Sequence, residues 1–242
     1  MKADAIIVSA GKGQRFMEGQ KKQFHLLADR PILAHALDQF ENCPLVRTTL
    51  LVVSEEDMDY TLKAIVEKYH YRKIAQIVPG GKRRQDSVKN GLDALAGGSE
   101  IIMIHDGVRP FVTRAMIEDS IHSAERFGAV ILAMPVKDTI KMSNADGTVL
   151  KTLDRESLWQ TQTPQTFKAE IIREAYAKAA QDGFWGTDDS SLVERLGVKV
   201  HILPGSYTNI KITTPEDLML ARVFLKIKSQ TSQPGEGRKK EE

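Results

Sequence analysis

Cysteine is almost missing from this chain: Cys43 stands alone among 242 residues. It can form no intrachain disulfide and has no C-x-x-C partner for zinc, which predicts a structural role and a reducing, cytoplasmic setting. The six histidines show no H-x-H or H-E-x-x-H spacing, so no zinc site is expected, and His25, His35, His70, His122 and His201 read as surface or packing residues. No apolar run approaches bilayer length, and Met1-Lys2-Ala3-Asp4 places an acid where a signal peptide carries its hydrophobic segment, so no membrane partner is expected. Net charge is only +2, and the cations bunch at 12–22 and 82–84, which favours a small anionic ligand over nucleic acid. Trp159 and Trp185 are isolated and read as packing rather than base-stacking residues. Two nucleotide motifs are missing as well. Gly11-Lys12-Gly13-Gln14-Arg15-Phe16 ends in Phe where G-x-G-x-x-G needs glycine, and G-K-[ST] occurs nowhere, which disfavours a dehydrogenase and a P-loop NTPase.

What is present begins with the apolar run Ala5-Ile6-Ile7-Val8, which opens into Ser9-Ala10-Gly11-Lys12-Gly13. Small residues there let backbone N–H groups approach a polyphosphate, while Lys12, Arg15, Lys21 and Lys22 supply positive charge around it. Further strands are predicted at Thr49–Val53, Ile74–Val78, Glu100–Ile104, Ala129–Met134 and Lys199–Leu203, after a first at Asp4–Val8. Most are too uniformly apolar to have a wet face, as in a mostly parallel sheet. Amphipathic helices are predicted at Pro31–Phe40, Asp57–Tyr69, Asp86–Leu95, Thr113–Arg126, Ala169–Ala180 and Pro215–Lys228. The alternation implies a doubly wound, Rossmann-like α/β sheet with ligands at the carboxyl ends of its strands. Between Val136 and Thr163 the rhythm turns to polar–apolar alternation broken by Asn144-Ala145-Asp146-Gly147, which predicts a protruding antiparallel β-arm. One domain, 1–228, is expected, followed by a disordered polar tail at 229–242.

Several motifs recur in one order: Ala10-Gly11-Lys12-Gly13-Gln14-Arg15, Lys22-Gln23-Phe24, Gly80-Gly81 with Arg84-Gln85-Asp86-Ser87-Val88, His105-Asp106-Gly107-Val108-Arg109-Pro110, Asp138-Thr139, Asp154-Arg155, Gln162-Thr163-Pro164-Gln165, Thr187-Asp188-Asp189 and Asn209-Ile210-Lys211-Ile212-Thr213. From Ile6 to about Leu225 the chain resembles the 2-C-methyl-D-erythritol 4-phosphate cytidylyltransferases of the non-mevalonate isoprenoid pathway. The resemblance implies CMP transfer from CTP to methylerythritol phosphate with release of pyrophosphate, a divalent metal such as Mg²⁺, and a homodimer that exchanges arms.

It also implies roles residue by residue. Arg15, Lys22 and Lys211 would be catalytic; Ala10, Gly11, Gly13, Gly80, Gly81 and Ser87 would bind the nucleotide. Asp106, Arg109, Thr139, Arg155, Thr163, Thr187 and Lys211 would bind the acceptor, with Asp106 also near the metal, and Thr139 and Arg155 would reach the partner's site. Such chemistry needs charge neutralisation and alignment rather than a base, because the attacking phosphate is already ionised. Ordinary structural readings stand beside these: Asp86 as a helix cap after a plain turn, an Asp106–Arg109 salt bridge, solvent-facing charge for Arg155 and Lys211, and Thr187 as a helix cap. The sequence departs from the family where Lys21 replaces the usual Pro before Lys22, and where Tyr207-Thr208 stand in place of a second Asp before Asn209. Two other functions stay open at this point: a cytidylyltransferase for another polyol phosphate such as ribitol 5-phosphate, and a non-catalytic nucleotide-binding regulator, which would have no use for Arg15 and Lys22.

Overall fold

The computed structural model describes residues 2–11 and 21–231. Lys12, Gly13 and Arg15 of the expected phosphate loop, and the tail beyond 231, lie outside the described residues.

The chain runs β1 (Ala3–Val8), β2 (Leu26–Leu27), β3 (Arg30–Pro31), α1 (Ile32–Glu41), β4 (Val46–Val53), α2 (Met58–Thr61), β5 (Ile74–Pro79), α3 (Arg84–Ala94), β6 (Ile101–Asp106), α4 (Arg114–Phe127) and β7 (Ala129–Pro135). There follow β8 (Lys141–Ser143), β9 (Val149–Thr152), β10 (Trp159–Lys168), α5 (Ala169–Gln181), α6 (Asp189–Glu194), β11 (His201–Pro204) and α7 (Pro215–Thr231). Seven strands form one sheet in the order β11-β7-β10-β6-β1-β4-β5. All neighbours in it are parallel except β10, which runs antiparallel to both β6 and β7. Because side chains alternate along a strand, Ile7, Leu51 and Met103 pack on one face with Leu33, Phe40 and Ile117 of α1 and α4, and Ile6, Val52 and Ile104 pack on the other with Val88, Leu92 and Ile172 of α3 and α5.

All six predicted strands form, but β10 was missed, its first half lying in the segment read as the arm and the rest running on to Lys168. The hairpin itself spans only β8 and β9, closed by Gly147 at φ +84°. It carries Val149 at 61% and Leu150 at 58% exposure, so nothing among the described residues covers it. The expected helix at Asp57–Tyr69 breaks into a 3-10 turn, the short α2 and a wide π turn over Leu62–Glu67. α7 continues to Thr231, past the predicted end at Lys228. Among the described residues no helix is long and apolar enough to cross a membrane.

The chain builds β1, β4 and β5 outward, then returns to place β6 on the other side of β1. That reversal opens a crevice at the carboxyl ends of the strands, the place where such sheets bind ligands.

Candidate active site

A cavity of about 620 Å³ fills this crevice. Ser9, Ala10 and Gly11 come from the end of β1, Ser54 and Glu56 from the end of β4, Gly80 to Arg84 from the end of β5, and Asp106 from the end of β6; Lys22, Ser87 and Lys211 complete the wall. The sequence-predicted residues Ala10, Gly11, Lys22, Gly80, Gly81, Ser87, Asp106 and Lys211 therefore meet in one place.

The glycines are required by close packing. A Cβ on Gly80 would lie 2.3 Å from the Ala10 Cβ, and one on Gly81 would lie 2.3 Å from the Asp86 Cβ. Ser87 Oγ accepts from the Gly81 N–H at 3.0 Å and donates to the Arg83 carbonyl at 3.1 Å, so the hydroxyl shapes the glycine turn. Asp86 accepts from the Arg83 N–H, closing the first turn of α3 from its third position rather than as the cap.

Asp106 is the anionic centre. Its Oδ1 lies 3.0 Å from Arg84 Nε and its Oδ2 lies 2.8 Å from Lys211 Nζ, with Arg109 Nε at 3.8 Å. Burial alone would push this carboxyl up; Arg84, Lys211 and Arg109 together outweigh that and hold it well below the usual carboxylate range. The Asp106–Arg109 salt bridge thus exists, but as the longest of three contacts. Behind Asp106, its backbone N–H donates to Thr163 Oγ1 at 3.1 Å, and that hydroxyl lies 3.0 Å from His105 Nδ1. His105 Nε2 faces the Arg109 carbonyl at 3.3 Å. One proton order satisfies the chain: Thr163 donates to Nδ1, and Nε2–H donates to the carbonyl of Arg109. Burial, opposed by Asp106 and reinforced by Arg109, pushes His105 down to about 3, in keeping with that neutral ring.

Several of the expected residues lie off the cavity wall. Thr163 and Arg109 are buried behind the wall, engaged with Asp106 and with the Asn209 carbonyl at 2.8 Å, and do not line the cavity. Thr187 is exposed and caps nothing; Asp188 caps α6 by accepting from Ser191 N. Thr139 and Arg155 are exposed on the arm segment and lie off their own chain's cavity, Arg155 donating to the Lys137 carbonyl at 3.3 Å. Lys21 is committed to the turn after β4, pairing with Glu56 at 2.7 Å and Asp57 at 2.6 Å. Tyr207 donates to the Pro135 carbonyl at 2.9 Å and lies under Lys137, bracing the root of the arm. Arg84 was not among the expected site residues, although it lines the cavity and touches Asp106.

Among the described residues no three acidic, histidine or cysteine side chains gather to hold a metal. The carboxylates on the wall are those of Glu55, Glu56 and Asp106, and with no cluster of three gathered together, the donor set suits a divalent ion that brings most of its ligands with it.

A family model described as 2-C-methyl-D-erythritol 4-phosphate cytidylyltransferase (IspD) matches residues 3–227. The enzyme of that name from Syntrophus aciditrophicus (strain SB) is 49% identical over 225 residues, covering 93% of this chain and 96% of the relative. Its namesake from Desulforamulus reducens is 48% identical over 222 residues, covering 92% and 95%. Among solved structures, the 4-diphosphocytidyl-2C-methyl-D-erythritol synthase of Anaerococcus prevotii DSM 20548 superposes with TM-score 0.81 at 33% identity, covering 93% of this chain and 96% of that one. With the family matched over nearly the whole length and a relative almost half identical, the chain belongs to the 2-C-methyl-D-erythritol 4-phosphate cytidylyltransferase family of nucleotidyltransferases.

Proposed function

We propose that this protein transfers CMP from CTP to 2-C-methyl-D-erythritol 4-phosphate, giving 4-diphosphocytidyl-2-C-methyl-D-erythritol and pyrophosphate in the cytoplasm. The observation that carries the reading is the convergence of a close-packed small-residue wall, Ala10 with Gly80 and Gly81, and the Lys22, Asp106 and Lys211 charges on one cavity.

An oxygen of the acceptor's phosphate attacks the α-phosphorus of CTP; the new P–O bond forms as the bond to pyrophosphate breaks. The nucleophile is already an anion, so no side chain takes a proton. Lys22 and Arg15 hold the triphosphate and counter the charge that builds on the α-phosphate, and Lys211 does so from the acceptor side. Gly80, Gly81 and the turn fixed by Ser87 bring backbone groups against the base, beside Ala10 and Gly11. Asp106 orients the acceptor's hydroxyls, with Thr163 and Arg109 holding it from behind and Thr187 approaching from the loop before α6. A Mg²⁺ ion, with Asp106 among the residues that would hold it, would supply further charge neutralisation.

The exposed apolar hairpin fits a homodimer in which Thr139 and Arg155 complete the partner's acceptor site, since an isolated two-stranded hairpin is marginal alone. The test is pyrophosphate release with CTP, Mg²⁺ and a panel of methylerythritol phosphate, ribitol 5-phosphate, glycerol phosphate and sugar 1-phosphates. Methylerythritol phosphate should rank first by kcat/KM; a win for ribitol 5-phosphate would replace the acceptor.

A further inference from the structure

Arg84 forms the junction between the two halves of the cavity. Its Nε lies 3.0 Å from Asp106 Oδ1, and its Nη2 lies 2.8 Å from Asp189 Oδ2. Asp189 is fully buried at the start of α6, its other oxygen accepting from the Tyr176 hydroxyl at 2.6 Å. The residues beside Arg84 grip the same region. The Arg83 guanidinium lies 3.7 Å over the Trp185 ring. Gln85 donates to the Phe184 carbonyl at 3.1 Å and accepts from the Gly186 N–H at 3.0 Å. Three consecutive residues at the head of α3, directly after the glycine turn, thus hold the segment 184–189, and Thr187 stands within it.

We propose that Arg84 is a positioning residue for the acceptor half of the site. The planar fork reaches the two carboxylates from separate nitrogens, Nε toward Asp106 and Nη2 toward Asp189, whereas a lysine would have to draw both to a single ammonium. By taking Asp106 Oδ1, Arg84 fixes the direction in which that carboxylate faces the cavity. It also shares the Asp106 charge, so that Lys211 is not its sole close counter-ion and its ammonium remains available to a substrate phosphate. By taking Asp189, it fixes the start of α6 and with it the placement of Thr187.

The inference rests on the acceptor reading given above, and steady-state kinetics with calorimetry separate the two. The wild type should turn over methylerythritol phosphate; if it uses none of the acceptor panel, the proposed function fails at that control, before Arg84 is questioned. If ribitol 5-phosphate is the better acceptor, the same measurements on it decide Arg84. Arg84→Lys should keep the fold and hold CTP affinity within about threefold, yet raise the acceptor's KM roughly 10- to 100-fold. Arg84→Gln leaves Asp189 buried without its cation and is expected to lower Tm, so the double variant Arg84→Gln with Asp189→Asn is the sharper test. It should recover the wild-type Tm while the acceptor's KM stays raised. Return of that KM to the wild-type value in the double variant would reduce Arg84 to a counter-ion for Asp189 and overturn the proposal. So would a loss of CTP affinity as large as the rise in acceptor KM, or an unchanged acceptor KM in Arg84→Lys.

Discussion

Lys21 Nζ lies 2.6 Å from Asp57 Oδ2, while the next residue, Lys22, lines the cavity. Two adjacent lysines are thereby placed differently, one holding the chain to the turn after β4 and the other on the cavity wall. Lys22→Ala should lower kcat by roughly 10²-fold or more, as removal of a preorganised donor to a developing anion does, with a smaller effect on CTP binding. Lys21→Ala should be milder, because it removes an anchor rather than a transition-state contact. Steady-state kinetics on both variants decide this, and equal losses would mean that the two lysines share the catalytic task.

Gly80 tolerates no side chain because the Ala10 Cβ stands where its own would go. Gly80→Ala should lower Tm and weaken CTP binding together. Adding Ala10→Gly removes the obstructing methyl and should restore part of both. Calorimetric titration with CTP, alongside thermal melts, makes the comparison; a double variant no better than Gly80→Ala would show that the backbone at 80 matters for another reason.

His105 gives the acid limb of stability a definite sign. Its pKa is pushed down to about 3 in the folded protein from an ordinary 6.5, so between those values the unfolded chain takes up a proton that the folded chain does not. The stabilisation from a neutral His105 is fully present above pH 6.5 and is lost as pH falls through that window. His105→Asn should flatten the dependence of unfolding free energy on pH by up to about 1.4 kcal/mol per pH unit there. Urea denaturation from pH 7 to pH 4.5 measures it, and parallel slopes in the two proteins would assign the acid sensitivity elsewhere.

Arg155 is exposed and does not line its own chain's cavity, and the proposed function gives it to the partner's acceptor site. Arg155→Lys should raise the acceptor's KM and leave CTP affinity nearly unchanged, because the planar fork suits a phosphate better than a point charge. Mixing Arg155→Ala subunits with Lys22→Ala subunits, each nearly inactive, should restore one intact site out of two in the heterodimer. No recovery after verified subunit exchange would end the shared-site arrangement.

The parallel strands were readable because most are apolar on both sides, as Ile6 and Ile7 illustrate by filling opposite cores. β10 was not. Trp159-Gln160-Thr161-Gln162-Thr163-Pro164-Gln165 looks like a wet segment, and a proline argues against a central strand. The structure accommodates both features: the register with β7 shifts between Thr161 and Gln165, around the proline, and each buried polar group is matched. Gln165 accepts from the N–H groups of Asp189 and Ser190, and Thr166 donates to Ser120 Oγ. Such pairings join positions far apart in the chain and leave no periodic trace. Arg84 escaped for the same reason, as one of 34 cations whose two partners lie 22 and 105 residues away in sequence. The roles of Asn209 and Thr163 as braces behind Asp106 were equally hidden, although both lay in motifs already singled out.

Residues 136–158 leave the sheet after Pro135 and rejoin it at Trp159, and those two residues face one another across the β7–β10 pair. The excursion therefore begins and ends on a single rung of the scaffold, like a cassette seated in one socket. Its length and surface can drift in evolution, or be swapped between relatives in the laboratory, without changing the register of the strands that carry Asp106. Under the proposed function, choice of acceptor and choice of partner subunit can in this way change together, while the apparatus that holds the nucleotide stays as it is.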